Sequence, residues 1–297
     1  NNEIDLTSLS HLFNSTIFLR SIEDGQKRNN ILPHSENIFI KIIEQNRKLT
    51  FSEVLKKAEN ILNIEIPNYI VSKEYISIFD KINHTDLKRY FNSFYENEFN
   101  RFKYDFSIIT KQALSRIYQK YVSILSLDNH DSSQTYLFNP IPIERINKTT
   151  GTYYTPEYIA RFFAKFLCKT FTEKEFESLK VLEPSVGSGI FLRSLLETQI
   201  EQRITKKITL NIDNLFSNVT GIDIDQNACL ATNLSLTLLH YLFNHNLSKP
   251  TVFQGNSINI MQDMINNEKK MDIIISNPPY INQDNKDPES VELYKKT

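Results

Sequence analysis

Val181-Leu182-Glu183-Pro184-Ser185-Val186-Gly187-Ser188-Gly189 reads as the end of an apolar strand followed by a glycine turn that opens a helix. Such a turn lets backbone approach a ligand and aims helix N–H groups at negative or polar atoms. Working outward, three more short apolar runs follow the first at Leu179–Leu182: Val219–Ile224, Thr251–Phe253 and Met271–Ile275. Between them, Ile190–Ile204 and Ala228–Phe243 carry helical periodicity. Strands alternating with helices predict βαβ units and a parallel sheet covered on both faces. On the N-terminal side the pattern changes. Residues 1–127 read as mostly helical, with apolar faces at Phe51–Leu62, Tyr90–Phe102 and 111–126, where Leu114, Ile117, Tyr118, Tyr121, Val122 and Leu125 recur at three and four. Residues 128–150, rich in Asp, Asn and Ser and holding Pro140 and Pro142, read as a linker. The expectation is an all-helical N-terminal domain (1–127), the linker, and an α/β domain from 151 to 297.

Composition sets bounds. At 34.8 kDa, with 40% hydrophobic and 23% charged residues, the chain has room for a real core. The net charge of −1 shows none of the basic excess usual in proteins that hold nucleic acid mainly through phosphates. Any such binding must rest on local patches or on sequence outside this segment. Cys168 and Cys229 form no C-x-x-C, and the six histidines have no ligand spacing, so neither a disulfide framework nor a metal site is indicated. Without an apolar run long enough for a membrane span, a reducing cytoplasm is the expected location. Of only six glycines, five stand at 151, 187, 189, 221 and 255, which marks the second half as the place to look for chemistry.

Four stretches there carry it. In Gly221-Ile222-Asp223-Ile224-Asp225, an acid at the tip of the second strand can accept from ribose hydroxyls. It lies about 34 residues beyond Gly189 rather than the usual ~20, which requires an excursion, placed at Lys206–Ser217. Asp225 reads more simply as a helix N-cap. Asn277-Pro278-Pro279-Tyr280 directly follows the last apolar strand. Its two prolines end the strand and fix φ, presenting the Asn amide and backbone carbonyls rigidly before an aromatic ring. Gly151-Thr152-Tyr153-Tyr154-Thr155-Pro156 reads as a helix start, with Thr155 as N-cap, Pro156 at N1, and Ile159, Phe162, Phe163, Phe166 and Leu167 forming the apolar face. The glycine turn at 187–189 is the fourth. Asp80 with Asp86-Leu87-Lys88 faintly resembles a D…D-x-K nuclease site, but it lies in charged helical sequence and reads as a solvated face.

Taken together, GTYYTP at 151, EPSVGSG at 183, GIDID at 221 and NPPY at 277 resemble, in order, the motifs of the amino-group DNA methyltransferases of the N6-adenine type. Tyr104-Asp105-Phe106-Ser107 with Ile117-Tyr118 is similar to the helical lead-in of the methylase parts of type I and type IIG restriction-modification enzymes and related phage-defence methylases. The resemblance implies a Rossmann-like, S-adenosylmethionine-dependent domain, present here through its first four strands. It implies cofactor contacts from Tyr153, Tyr154, Thr155, Pro156, Glu183, Pro184, Gly187, Gly189, Asp223, Ile224, Asn256 and Ser257, and no metal. Asn256 stands where the family more often has an acid. Asn277, Pro278, Pro279 and Tyr280 would be the catalytic residues, acting on an adenine flipped out of double-stranded DNA. A target-recognition domain or specificity subunit outside this segment, and restriction or defence subunits, would be its partners. Two other readings stay open on the same residues: a protein glutamine methyltransferase of release-factor type, and a non-catalytic DNA-binding subunit of a defence complex.

Overall fold

The computed structural model describes residues 6–46, 48–96, 104–106 and 155–278. The described N-terminal residues form α1 (Leu6–Arg28), α2 (Ile38–Gln45), α3 (Phe51–Leu62), α4 (Lys73–Ser77) with a following 3-10 turn, and α5 (His84–Asn92). Local sequence explains the ends of α3. Thr50 and Glu53 form a reciprocal capping box, and Asn63 takes a left-handed conformation at the C-terminus. The apolar face expected at 51–62 is buried there through Phe51, Val54, Leu55, Ala58 and Leu62. Phe51 stacks on Phe91 of α5 at 5.3 Å between centroids, and Phe91 stacks on Phe39 of α2 at 4.4 Å. The turn of α5 covers the start of the patch expected at 90–102; the helix expected at 111–126 and the linker at 128–150 lie outside the described residues.

α1 runs through the middle of this layer, with Ile17, Phe18, Leu19 and Ile22 all buried. The Phe106 N–H donates to Asp24 Oδ2 at 2.8 Å, and Arg28 pairs with Asp105 at 3.3 Å, so the 104–106 stretch seats on α1.

The second half holds α6 (Glu157–Thr170), β1 (Val181–Glu183), α7 (Ile190–Lys206), α8 (Ile212–Ser217), β2 (Val219–Asp223), α9 (Gln226–Asn244), β3 (Thr251–Gln254), α10 (Ser257–Asn266) and β4 (Ile273–Ile274). All four strands run parallel in the order β3-β2-β1-β4, with Glu183 opposite Gly221 and Leu182 opposite Ile274. Period-2 alternation divides the strand residues between two cores. Val181 and Val219 pack with Leu192, Leu195 and Leu196 of α7 and Leu236 and Leu239 of α9. Leu182 and Ile222 meet Met264, Ile260 and Met261 of α10 on the other face. This is the doubly covered parallel sheet that the strand-helix alternation predicts. The excursion expected at 206–217 contains α8, capped by Asn211.

α9 belongs to both halves. Its Leu234 and Leu238 sit in the core built by α1–α5, while Leu236 and Leu239 face the sheet. From Asn227 to His240 all but Ala231 is buried, which is why an amphipathic stripe is hard to see in its sequence.

α6 corrects two expectations. It begins at Glu157 with Pro156 at the N-cap and no side-chain cap bond, so Thr155 is not the cap. The Thr155 hydroxyl is turned to another partner instead. Its buried face is Ala160, Ala164 and Cys168, not the large aromatics; Phe162, Phe163 and Phe166 are exposed. Small side chains at a spacing of four let α6 approach α7 closely, where Gln199 Nε2 reaches Cys168 Sγ at 3.2 Å and Arg161 reaches Glu201 at 3.2 Å. Cys168 and Cys229 are free and buried, and burial pushes both thiols up to about 12. No described helix is long and apolar enough to cross a membrane.

Candidate functional site

The chain lays down β1, β2 and β3 in one direction across the sheet and then returns to place β4 on the other side of β1. In open α/β sheets such a reversal leaves a crevice beyond the strand ends, where ligands bind. The described residues of the four chemical stretches lie in the segments that lead to and from those strand ends.

The loop after β1 is held on three sides. Val186 N–H donates to Ile222 O at 2.9 Å, Gly187 N–H to Asp223 Oδ2 at 2.8 Å, and the Thr232 hydroxyl of α9 to Gly187 O at 2.8 Å. Gly187 and Gly189 adopt φ of +52° and +75°, the left-handed region that glycine enters without strain. A Cβ on Gly189 would come within 2.9 Å of Thr232, whereas one on Gly187 would meet nothing within 4 Å. The loop is therefore fastened on the α9 side and open at Gly187. Thr232 escaped the sequence reading because it is a mid-helix residue, with no local signal of its own.

Asp223 and Glu183 both serve this loop. Asp223 accepts from Gly187 N–H through one oxygen and from Asp225 N–H at 3.0 Å through the other. Burial raises its pKa, against the pull of those backbone donors. Asp225 is the N-cap of α9, bonding Asn227 N–H at 2.9 Å, as its sequence context predicts. Glu183 is only 2% exposed. Burial holds its carboxyl well above the usual range, the Leu192 backbone donor opposes that, and the nearby Asp223 adds to it. Its Oε2 is buried without a hydrogen-bond partner. An orphaned buried carboxylate oxygen is costly and suits a cationic or donor group of a ligand. Beyond β2, Ile224 is 71% exposed, an apolar side chain standing at the tip of a strand whose residues Val219–Ile222 are buried.

On the β3 side, Asn256 caps α10 by accepting from Ile258 N–H at 2.9 Å, and the Ser257 hydroxyl bonds Pro184 O. Asn256 thus uses one acceptor position on its own helix, and Ser257 ties this loop to the one after β1. On the β4 side, Ile275 N–H pairs with Leu182 O at 3.0 Å, which carries Asn277 to the crevice next to the Glu183 loop. Asn277 is half-buried, Pro278 exposed, and Ser276 Oγ buried without a partner. Asn277 Nδ2 donates to Thr155 Oγ1 at 3.2 Å, joining two stretches 122 residues apart in sequence. Tyr153, Tyr154, Pro279 and Tyr280 lie outside the described residues.

The charged residues read as a solvated face make local bonds: Asp80 accepts from Ser52 N–H and Oγ, Asp86 bonds Asn83, and Lys88 pairs with Glu44.

A parallel α/β sheet with a glycine turn after β1, an acid at the tip of β2 and an Asn-Pro corner after β4 is an architecture consistent with a methyltransferase fold. Residues 143–297 match the family model described as N-6 DNA Methylase, a match over more than half of the chain, and the chain belongs to that family. Membership implies use of S-adenosylmethionine as the methyl source. The chain is 27% identical over 135 residues to the type II methyltransferase M.BstVI of Geobacillus stearothermophilus, covering 42% of this chain and 24% of that one. Among solved structures it resembles the DrdV–DNA complex (TM-score 0.45, 14% identity, 94% of this chain and 26% of that one). It also resembles the type IIG restriction endonuclease BpuSI (TM-score 0.43, 14% identity, 98% and 27%). The chain spans about a quarter of the length of each of these proteins.

Proposed function

We propose that this chain is the N-terminal helical region (1–127), linker (128–150) and first part of the Rossmann-like catalytic domain (151–297) of a DNA methyltransferase. It would methylate N6 of a flipped-out adenine in double-stranded DNA, within a restriction-modification or phage-defence system. The observation that carries this reading is the sheet order, which sets Asn277-Pro278 after β4 beside the Glu183–Gly189 loop after β1.

The residues present fit the cofactor. Glu183, with its unpartnered oxygen, would take the ammonium of the amino-acid end; Asp223 retains lone pairs for ribose hydroxyls; exposed Ile224 offers a face for the adenine. Thr155, Pro156, Pro184, Gly187, Gly189, Asn256 and Ser257 would frame the same crevice, with Tyr153 and Tyr154 from the preceding stretch. When bound, S-adenosylmethionine supplies an electrophilic sulfonium methyl group. The protein's task is the other reactant. An adenine N6 is a poor nucleophile because its lone pair is delocalised into the ring. The Asn277 side-chain oxygen and the Pro278 carbonyl would accept its two hydrogens and draw the nitrogen toward tetrahedral geometry, which returns the pair to nitrogen. Tyr280, next to Pro279, would stack on the extruded base. This is catalysis by positioning and polar preorganisation.

The test is to express the full-length protein and its Asn277→Ala variant and sequence native DNA for modified adenines. Methylated adenines in one fixed context, lost in Asn277→Ala, are the expected result. Absence of any modified adenine with the wild-type protein, in cells or with purified protein and cofactor, overturns it, and methyl transfer to a release factor in the same assay would assign the glutamine reading instead.

A further inference from the structure

We propose that Thr155 is a positioning residue for the transfer, its hydroxyl holding the Asn277 amide so that oxygen rather than nitrogen faces the target amino group. The inference rests on the methyltransferase reading and adds to it a residue that acts through Asn277.

An asparagine side chain carries an acceptor and a donor of nearly the same shape, one flip of χ2 apart. The reaction uses only the acceptor. A flipped amide would oppose its NH2 to the amino group of the base, donor against donor. In the arrangement present, Asn277 Nδ2 donates to Thr155 Oγ1 at 3.2 Å, which holds the side chain with Oδ1 left for the base. The hydroxyl is available for this because α6 does not use it; the helix starts at Glu157 and no side chain caps it.

Both partners are held stiffly. Each directly precedes a proline, Thr155-Pro156 and Asn277-Pro278, which restricts each backbone to extended conformations. Threonine is β-branched and has few accessible χ1 rotamers. Behind Thr155, α6 is seated on α7 through Ala160, Ala164 and Cys168. Behind Asn277, β4 is paired to β1. A direct bond between two stiff ends holds a side chain better than one made by a flexible partner, and misplacement on the scale of 1 Å in a reacting pair costs about 10²-fold in rate.

The test uses the full-length protein with Thr155→Val, which keeps shape and removes the hydroxyl, and Thr155→Ser, which keeps the hydroxyl. Expected for Thr155→Val is a kcat at saturating S-adenosylmethionine reduced about 10- to 100-fold, and for Thr155→Ser a kcat recovered most of the way to wild type. Asn277→Asp supplies the independent arm. A carboxylate has acceptors at both ends and no orientation to choose, so adding Thr155→Val to it should cost little further, a non-additivity that a merely structural hydroxyl would not give. A Thr155→Val enzyme with unchanged kcat, a loss confined to cofactor KM, or full additivity with Asn277→Asp overturns the proposal. Wild-type protein that methylates no DNA brings down the methyltransferase reading itself, whereas an active wild type with an equally active Thr155→Val brings down only the role of Thr155.

Discussion

Two clusters of buried or partly buried carboxylates among the described residues are treated in opposite ways. In α1, Glu23 and Asp24 are enclosed with Arg20 and Lys27. Arg20 makes two 2.7 Å bonds to Asp24 and a 3.0 Å contact to Glu23, and Lys27 reaches Glu23 at 2.7 Å. The Tyr95 hydroxyl and the Ile38 N–H fill further acceptor positions on Glu23, and the Arg20 guanidinium lies 4.1 Å above the Tyr95 ring. Two cations balance two anions. At the strand tips, burial raises the pKa of both Glu183 and Asp223, Glu183 Oε2 has no partner, and no ion pair to either is formed among the described residues. A buried charge satisfied by its own protein specifies packing. One left unsatisfied carries a standing cost that a ligand can remove, and such clusters mark functional sites.

The largest effect should come from breaking the balanced set. Arg20 is 1% exposed, so Arg20→Ala leaves two carboxylates buried with one cation, a loss of about 3–5 kcal/mol. Chemical denaturation of the full-length protein should show this as an early transition assigned to the helical half. A loss under about 1 kcal/mol would place the network with exposed pairs in energetic terms and end the contrast.

The opposite experiment at the other site should have the opposite sign. Glu183→Gln keeps an acceptor for the Leu192 N–H and removes the ionisable group. Because the folded-state pKa is raised, the wild type loses stability as pH rises from the ordinary carboxylate range through the folded value. The variant does not titrate there. Thermal melts without cofactor should therefore show Glu183→Gln gaining on wild type as pH increases, with the two converging in acid. The same substitution should weaken S-adenosylmethionine binding in calorimetry. A variant less stable than wild type at neutral pH would show that the carboxylate is already compensated.

The contrast was only half visible in the sequence. Motif spacing led to the strand tips, and short apolar runs alternating with helical periodicity gave the sheet and α3, because those signals are local. Arg20, Glu23, Asp24 and Lys27 also stand at helical spacing, but a charged run usually lies on a solvated face, and only the arrival of Tyr95, Phe94 and Phe106 over them makes them buried. Thr155 was misread for the related reason that a Thr-Pro pair before a helix has a local explanation, the cap. Its actual partner is 122 residues away. The aromatics of α6 were assigned inward by hydrophobicity alone, where close helix approach selects alanine and cysteine instead. The bond from Gly187 to Asp223, which merges two separately read motifs into one structure, could be found only once β1 and β2 were paired.

The smallest stability effect should fall at Ile224, and it separates the two kinds of site most sharply. At 71% exposure this side chain buries little apolar area within the protein, so Ile224→Ser should change stability within about ±0.5 kcal/mol. Ile222, two residues earlier within β2 and fully buried between Leu182 and Met264, would lose far more by the same truncation. If Ile224 is a face for the cofactor adenine, Ile224→Ser must nevertheless raise the Kd for S-adenosylmethionine, while Ile222→Val should leave that Kd near wild type and lower the melting temperature. Unchanged affinity in Ile224→Ser would return Ile224 to the ordinary class of scattered surface hydrophobics. A large stability loss would mean that another part of the full-length chain covers it. Only the pairing of negligible stability cost with weakened binding identifies a residue whose exposure at the sheet edge is matched to a ligand rather than to the fold.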